Sequence, residues 1–371
     1  MTTDALRALV REELGGAAAY EVPHPTGITA KLDANELAFV LPAEVRAALA
    51  RELAAVDLNR YPDPGCGELR ALLGAELHAA PDELLFGNGS DEIIALLVST
   101  FARPRPGAAR ARVAYPVPTF GVFRTAALAA GAEPLEIATD PDADFAIDPA
   151  ALDRALREGR PNIVFFARPN NPTGTMWPSS LVMDVARAHP DILVVSDEAY
   201  AAYAGDGMAG AVAATPNLLV MRTLSKIGLA ALRIGFLRAS RGIIAEVEKI
   251  RPPYNLGALN QRAAVWLLRN HRALLDGMCA EVVHERARLA TALAALPDVR
   301  VFSSQANLVL FRVGAPGDGR ATAVWRVLCD AGVLVRCFDR PGLLSGCLRV
   351  TVGTPPENDA FLIALHDALR G

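Results

Sequence analysis

Three short apolar runs, each breaking into a small polar turn, restrict this chain to an α/β architecture. Asn162-Ile-Val-Phe-Phe166 runs into Ala167-Arg-Pro-Asn-Asn171-Pro-Thr-Gly174, Ile192-Leu-Val-Val-Ser196 into Asp197-Glu-Ala-Tyr200, and Asn217-Leu-Leu-Val-Met221 into Arg222-Thr-Leu-Ser-Lys226. The runs are continuous in Val, Ile, Leu and Phe and are separated by roughly twenty to twenty-five residues that read partly as helix, the pattern of parallel strands in a buried sheet. Parallel strands end on one edge, and ligands of open α/β sheets bind in the crevice outside the carboxyl ends. That edge gathers an amide (Asn171), a carboxylate (Asp197), a phenol (Tyr200) and an amine (Lys226).

Singly, each of these residues would more often be structural, since surface lysines, strand-end aspartates and Asn-Pro turns are ordinary. Their order on successive strand ends points to pyridoxal phosphate. A lysine amine forms a Schiff base with an aldehyde and, once displaced, is free to carry protons. The ring nitrogen must stay protonated for the cofactor to accept electrons, and a carboxylate such as Asp197 favours that charged form. The ring's phenolic oxygen takes neutral donors, which Asn171 and Tyr200 supply.

A phosphate site accompanies this set. Leu84-Leu-Phe86 reads as a strand, Gly87-Asn-Gly89-Ser90-Asp91-Glu92 as a turn, and Ile93 to Phe101 as a helix. Gly89 would let the backbone approach an anion, and the free N–H groups of a helix start would point at it. Ser90 or Asp91 would equally serve as a plain N-cap. No Gly-Lys-Ser/Thr follows, so this is not a nucleotide P-loop. Arg233 is expected to add a guanidinium, with Thr223 and Ser225 as hydroxyl donors. Phe120 is a candidate platform for ring stacking, or a plain core aromatic.

With 371 residues and 52% hydrophobic content, the chain is too long for one compact core. We expect an N-terminal segment at 1–45, a large α/β domain with a mostly parallel sheet at 46–260, and a smaller α+β domain at 261–371. The net charge of −4 comes with scattered basic residues, which argues against nucleic acid and anionic membranes as partners. The amino end has no basic start followed by an apolar stretch, so a cytoplasmic protein is expected. Five cysteines lack a Cys-x-x-Cys pair and read as reduced thiols, and six dispersed histidines show no metal spacing, so no metal is assigned.

Nearly end to end, the chain resembles the fold-type I pyridoxal-phosphate aminotransferases and, within them, the histidinol-phosphate aminotransferases. The resemblance runs through Lys31-Leu-Asp-Ala-Asn35-Glu36, Tyr61-Pro-Asp63, Gly89-Ser-Asp-Glu92, Asn170-Asn-Pro-Thr-Gly174, Asp197-Glu-Ala-Tyr200, Arg222-Thr-Leu-Ser-Lys226 and Leu344-Ser-Gly-Cys-Leu-Arg349-Val-Thr-Val-Gly353. It implies transamination of histidinol phosphate with 2-oxoglutarate, giving imidazole-acetol phosphate and glutamate. It further implies a homodimer with shared active sites in which Tyr61 crosses to the partner's cofactor phosphate, and substrate contacts from Tyr20, Asn35, Arg336 and Arg349. Three departures stand out. The loop from Lys226 to Arg233 is one residue short, Asn35-Glu36 is followed by Leu37-Ala38 instead of Asn-Pro, and Phe120 stands where tyrosine is common. Lysine and aspartate alone do not choose the bond broken. An aromatic or broad-specificity aminotransferase, a threonine-phosphate-type decarboxylase and, from a different class, a non-catalytic regulatory protein on this fold stay open.

Overall fold

The computed structural model describes residues 3–15 and 25–370. Its strands are β1 (Ala30–Leu32), β2 (Leu84–Asn88), β3 (Arg112–Val117), β4 (Glu133–Ala138), β5 (Ile163–Ala167), β6 (Leu193–Asp197), β7 (Leu218–Thr223), β8 (Ile234–Arg238), β9 (Val299–Val301), β10 (Leu308–Val313), β11 (Val333–Cys337) and β12 (Cys347–Thr351). They form a seven-stranded sheet ordered β2-β8-β7-β6-β5-β3-β4 and a five-stranded sheet ordered β1-β11-β12-β10-β9.

In the large sheet β5, β6 and β7 run parallel, as their apolar runs predict, and β8 is antiparallel to both its neighbours. The lack of alternation in the runs has a direct cause. Successive residues point to opposite faces of a strand, and both faces here are covered. Val164, Phe166, Val194, Leu218 and Val220 join one core, whereas Ile163, Phe165, Val195, Leu219 and Met221 join the other. Burying each such side chain contributes about 1.5–3 kcal/mol relative to exposure, so a polar residue at either parity would be costly.

The five-stranded sheet has its own core, in which Leu308, Phe311, Val350 and Phe361 are fully buried. Its edge strand β1 comes from the N-terminal part of the chain and pairs in parallel with β11. Tyr200 and Tyr203, on the turn after β6, are buried in this same core. The turn that ends a large-sheet strand is thereby fixed against the small sheet, and a cleft lies where the two meet.

One expected boundary is wrong. The helix expected from Ile93 begins at Gly89 and runs to Phe101. Gly89 takes a left-handed φ of 78°, which glycine adopts at little cost. The Glu92 carboxylate accepts the Asn88 N–H at 2.6 Å, so the glycine turn is itself the helix's first turn. Among the described residues, the amino end holds a five-residue helix, Thr3–Arg7, and a short 3-10 turn, Glu12–Leu14.

Candidate active site

The carboxyl ends of β5, β6 and β7 open into one cavity lined by Asn171, Asp197, Tyr200, Thr223, Ser225 and Lys226 together with Ser90, Asp91, Phe120, Arg233, Asn35 and Arg349. Parallel register brings the first members together, because Ala167 stands beside Asp197 and Asp197 beside Met221. Asp197 is 4% exposed. Its Oδ1 accepts the Ala199 N–H at 3.1 Å. Loss of hydration nevertheless pushes its carboxyl up to about 7; that N–H and the Lys226 charge oppose the rise, and the neighbouring Asp91 and Glu198 carboxylates add to it. Lys226 Nζ lies 5.7 Å from the centre of the Tyr200 ring, and the Tyr203 hydroxyl donates to the Lys226 carbonyl, tying the lysine's backbone to the small-sheet core.

The floor of the cavity is built for an anion. The first turn of the Gly89–Phe101 helix faces it at Ser90 and Asp91. β8 abuts that turn through Gly235, where a Cβ would lie 2.5 Å from the Gly89 carbonyl carbon. Thr223 Oγ1 lies 3.0 Å from Ser225 Oγ and receives the Ser225 N–H at 3.1 Å. The shortened loop does not keep Arg233 away. Its own left-handed φ of 51° turns the chain sharply after a one-turn helix, Ala230–Leu232. Its guanidinium reaches Ser225 Oγ at 3.4 Å and Asp91 Oδ2 at 3.0 Å, while its carbonyl accepts the Gly89 N–H at 2.8 Å. Asp91 is therefore the arginine's counter-ion and not the helix cap.

At the opposite wall Arg349 donates to Asn171 Oδ1 at 2.5 Å and to the Asp33 carbonyl at 2.5 Å. With its oxygen so occupied, the Asn171 amide turns its N–H₂ end away from Arg349. Asn170 anchors the loop by donating to Pro118 O and Thr173 Oγ1. Phe120 lines the cavity and meets Phe123 edge-on at 5.9 Å.

Three expected residues stand apart from this lining. Gly89 lies just behind it, under Arg233. Arg336 is the direct cross-strand partner of Arg349 but opens on an adjoining hollow with Val117, Pro118, Phe338 and Arg340. Tyr61 is 81% exposed and stacks on Tyr254 at 4.5 Å, away from the cavity of its own chain. Tyr20 lies outside the described residues. Asn35 lines the cavity, but its amide engages Tyr200 and Thr351, which leaves it poorly placed for the substrate contact expected of it.

Sequence reasoning missed the support behind these groups. The Glu198 side chain is fully buried next to Asp197 and accepts Arg222 Nε at 2.9 Å, Arg222 Nη2 at 2.8 Å and the Met208 N–H at 2.6 Å. Arg222 and Glu198 both lie within the quoted motifs, and their adjacency to Lys226 and Asp197 was the available signal. The assembled groups fit pyridoxal phosphate. A buried carboxylate short of a cation suits a pyridinium nitrogen, and the Gly235-backed turn with Ser225, Thr223 and Arg233 suits its phosphate.

Known proteins bear on the same point. The model of the family "Aminotransferase class I and II" matches residues 28–365. The chain belongs to the class I and II aminotransferases. A histidinol-phosphate aminotransferase of Chromobacterium violaceum is 41% identical over 363 residues, covering 97% of this chain and 98% of the relative. One of Polaromonas naphthalenivorans is 38% identical over 369 residues, covering 98% and 97%. Among solved structures, histidinol-phosphate aminotransferase from Sinorhizobium meliloti, in complex with pyridoxal 5'-phosphate, superposes with a TM-score of 0.81 at 26% identity, over 92% of this chain and 91% of that one. Aminotransferase membership selects transamination among the reactions that a lysine and an aspartate alone leave open.

Proposed function

We propose that this aminotransferase uses pyridoxal phosphate to move an amino group between histidinol phosphate and 2-oxoglutarate, giving imidazole-acetol phosphate and glutamate. One observation carries the reading: a single cavity holds an amine and a buried, cation-poor carboxylate between two guanidinium groups, Arg233 at the floor and Arg349 at the opposite wall. Two anions at a fixed separation are what a phosphorylated cofactor and an anionic substrate present together. Full-length relatives that carry the histidinol-phosphate name support the substrate.

Bound in this cavity, the cofactor would supply an electron sink for the carbon that bears the amine. Ser90, Thr223, Ser225 and Arg233 would hold its phosphate, Phe120 would stack on its ring, and Lys226 would bind it covalently. Asp197 would keep the ring nitrogen protonated, a role for which a desolvated carboxylate facing a cation is suited. The Asn171 N–H₂ and the Tyr200 hydroxyl would donate to the phenolic oxygen. Lys226 Nζ, once displaced, would take the proton from the substrate carbon and deliver it to the cofactor carbon that had carried the lysine, and would run the same transfer in reverse in the second half of the reaction. Arg349, with Arg336 beside it on the next strand, would bind the far anion, phosphate in one half-reaction and carboxylate in the other.

Three further assignments belong to this reading. The chain divides into a segment at 1–45, a large domain at 46–260 and a small domain at 261–371, supported by the two separate sheets. The active species is a homodimer, supported by the exposure of Tyr61 away from the cavity of its own chain. The protein is cytoplasmic, in keeping with the lack, among the described residues, of any helix long and apolar enough to cross a membrane.

The test is single-turnover spectroscopy of cofactor-loaded enzyme with histidinol phosphate, histidinol, phenylalanine and O-phosphothreonine in parallel. Histidinol phosphate should convert the chromophore fastest. Equal rates for histidinol, or a faster reaction with phenylalanine, would replace the reading with a broad aminotransferase, and carbon dioxide release from O-phosphothreonine with a decarboxylase.

A further inference from the structure

Asn35 sits in the left-handed region at φ 53° and is 2% exposed. Asparagine tolerates that conformation, so backbone geometry alone would account for its presence. Its hydrogen bonds indicate more. The Asn35 N–H donates to Thr351 Oγ1 at 2.9 Å, Thr351 Oγ1 donates to Asn35 Oδ1 at 3.3 Å, and Asn35 Nδ2 donates to the Tyr200 hydroxyl at 2.9 Å. Asn307 Nδ2 closes the set on the Asn35 carbonyl at 3.0 Å. All four residues are buried.

The polarity of this chain is forced by counting donors. A threonine hydroxyl has one hydrogen, and Thr351 Oγ1 already accepts from the Asn35 backbone, so its hydrogen is free to seek an acceptor. Asn35 Oδ1 is that acceptor. Turning the amide over would put N–H₂ groups against the hydroxyl and deprive its hydrogen of this partner, a costly arrangement at a buried site. With Oδ1 held by Thr351, Nδ2 must face Tyr200, and the phenol oxygen must accept. Its own hydrogen then has to go elsewhere, and the cavity is the side on which Tyr200 is open.

We propose that Asn35 and Thr351 are positioning residues that fix the direction of the Tyr200 hydroxyl proton, making the phenol a donor into the cavity. The inference rests on the pyridoxal-phosphate reading, in which that donor meets the ring's phenolic oxygen. A donor there draws charge from the oxygen, so losing it lets the lysine-linked chromophore keep its proton to higher pH. Thr351→Val preserves shape but removes the hydroxyl. The amide then turns, offers Oδ1 to the phenol and pulls its proton out of the cavity.

The experiment is a spectrophotometric pH titration of loaded enzyme, with no turnover required. Thr351→Val should raise the midpoint by about one pH unit, the size of one neutral hydrogen bond, and Thr351→Ser should restore it. Asn35→Gly, which keeps the left-handed backbone and leaves no acceptor to draw the phenol proton away, should shift it less than Thr351→Val. Tyr200→Phe should shift it by itself, and adding Thr351→Val to Tyr200→Phe should change nothing more. An unmoved midpoint in Thr351→Val, a shift in Asn35→Gly as large as that of Tyr200→Phe, or a full further shift on top of Tyr200→Phe, overturns the proposal, even where the melting temperature falls. A parent protein that forms no pH-sensitive chromophore with pyridoxal phosphate fails the cofactor reading first, and the inference with it.

Discussion

Asp197 should destabilise the protein whenever no cation faces it, and Asp197→Asn isolates that cost. The carboxyl is pushed from an ordinary 3.8 up to about 7 by burial. A folded state that holds its proton more tightly than the unfolded chain loses stability as pH rises between the two values, and the loss is complete above the higher one. The penalty is thus small near pH 4, grows to pH 7 and is flat beyond. Between pH 5 and pH 7 it grows by two pH units at about 1.4 kcal/mol each, so Asn should gain roughly 2–3 kcal/mol more stability over aspartate at pH 8 than at pH 5. Urea unfolding of cofactor-free protein at the two pH values measures this directly. Loading pyridoxal phosphate should reverse the order at pH 8, because the pyridinium nitrogen then supplies the missing cation and only the aspartate pairs with it. A gain from Asn that is equal at pH 5 and pH 8, or a mutant that cofactor stabilises as much as the parent, would refute the electrostatic account of this residue.

Other outcomes follow from the same geometry. Arg222→Met strips a fully buried Glu198 carboxylate of its partner and should cost about 3 kcal/mol in urea unfolding, most of it recovered in the double variant with Glu198→Gln. Arg349→Ala and Arg336→Ala should each lower kcat/KM for histidinol phosphate roughly ten- to hundred-fold, the worth of a charge-assisted pair of about 1.5–3 kcal/mol, with cofactor spectra intact. Mixing Tyr61→Phe with Lys226→Ala protein should regenerate intact sites in heterodimers; recovery absent under proven subunit exchange would return Tyr61 to its own chain's surface.

The large sheet was legible because burial on both faces leaves a local signature. Strands β5 to β7 must be apolar at both parities, and no other common element of five or six residues makes that demand. Their polar ends were legible for a related reason, since parallel strands put those ends on one edge. The helix start at Gly89 was misplaced because the glycine run reads as a loop until one knows that Glu92 folds back to cap it. Arg233 shows the limit of spacing arguments. A loop shortened by one residue leaves the reach of Arg233 open on spacing alone, and a left-handed φ at Arg233 itself supplies that reach; φ at a non-glycine residue is set by its surroundings.

What the sequence conceals most completely is hydrogen-bond polarity. Asn35 falls inside a recognisable motif, which suggested a substrate contact. Its orientation, however, depends on Thr351, 316 residues away, and acts on Tyr200, 165 residues away. An amide presents a donor at one end and an acceptor at the other, so residue identity fixes what it can do but not which end does it. That choice is made by whichever partner has no alternative, here a buried hydroxyl with one hydrogen left to place. The same logic orients Asn171, whose oxygen is taken by Arg349, 178 residues further along. The orientations of two cavity-lining groups are therefore set by residues of the small sheet, so any movement of β12 relative to β6 would alter both together.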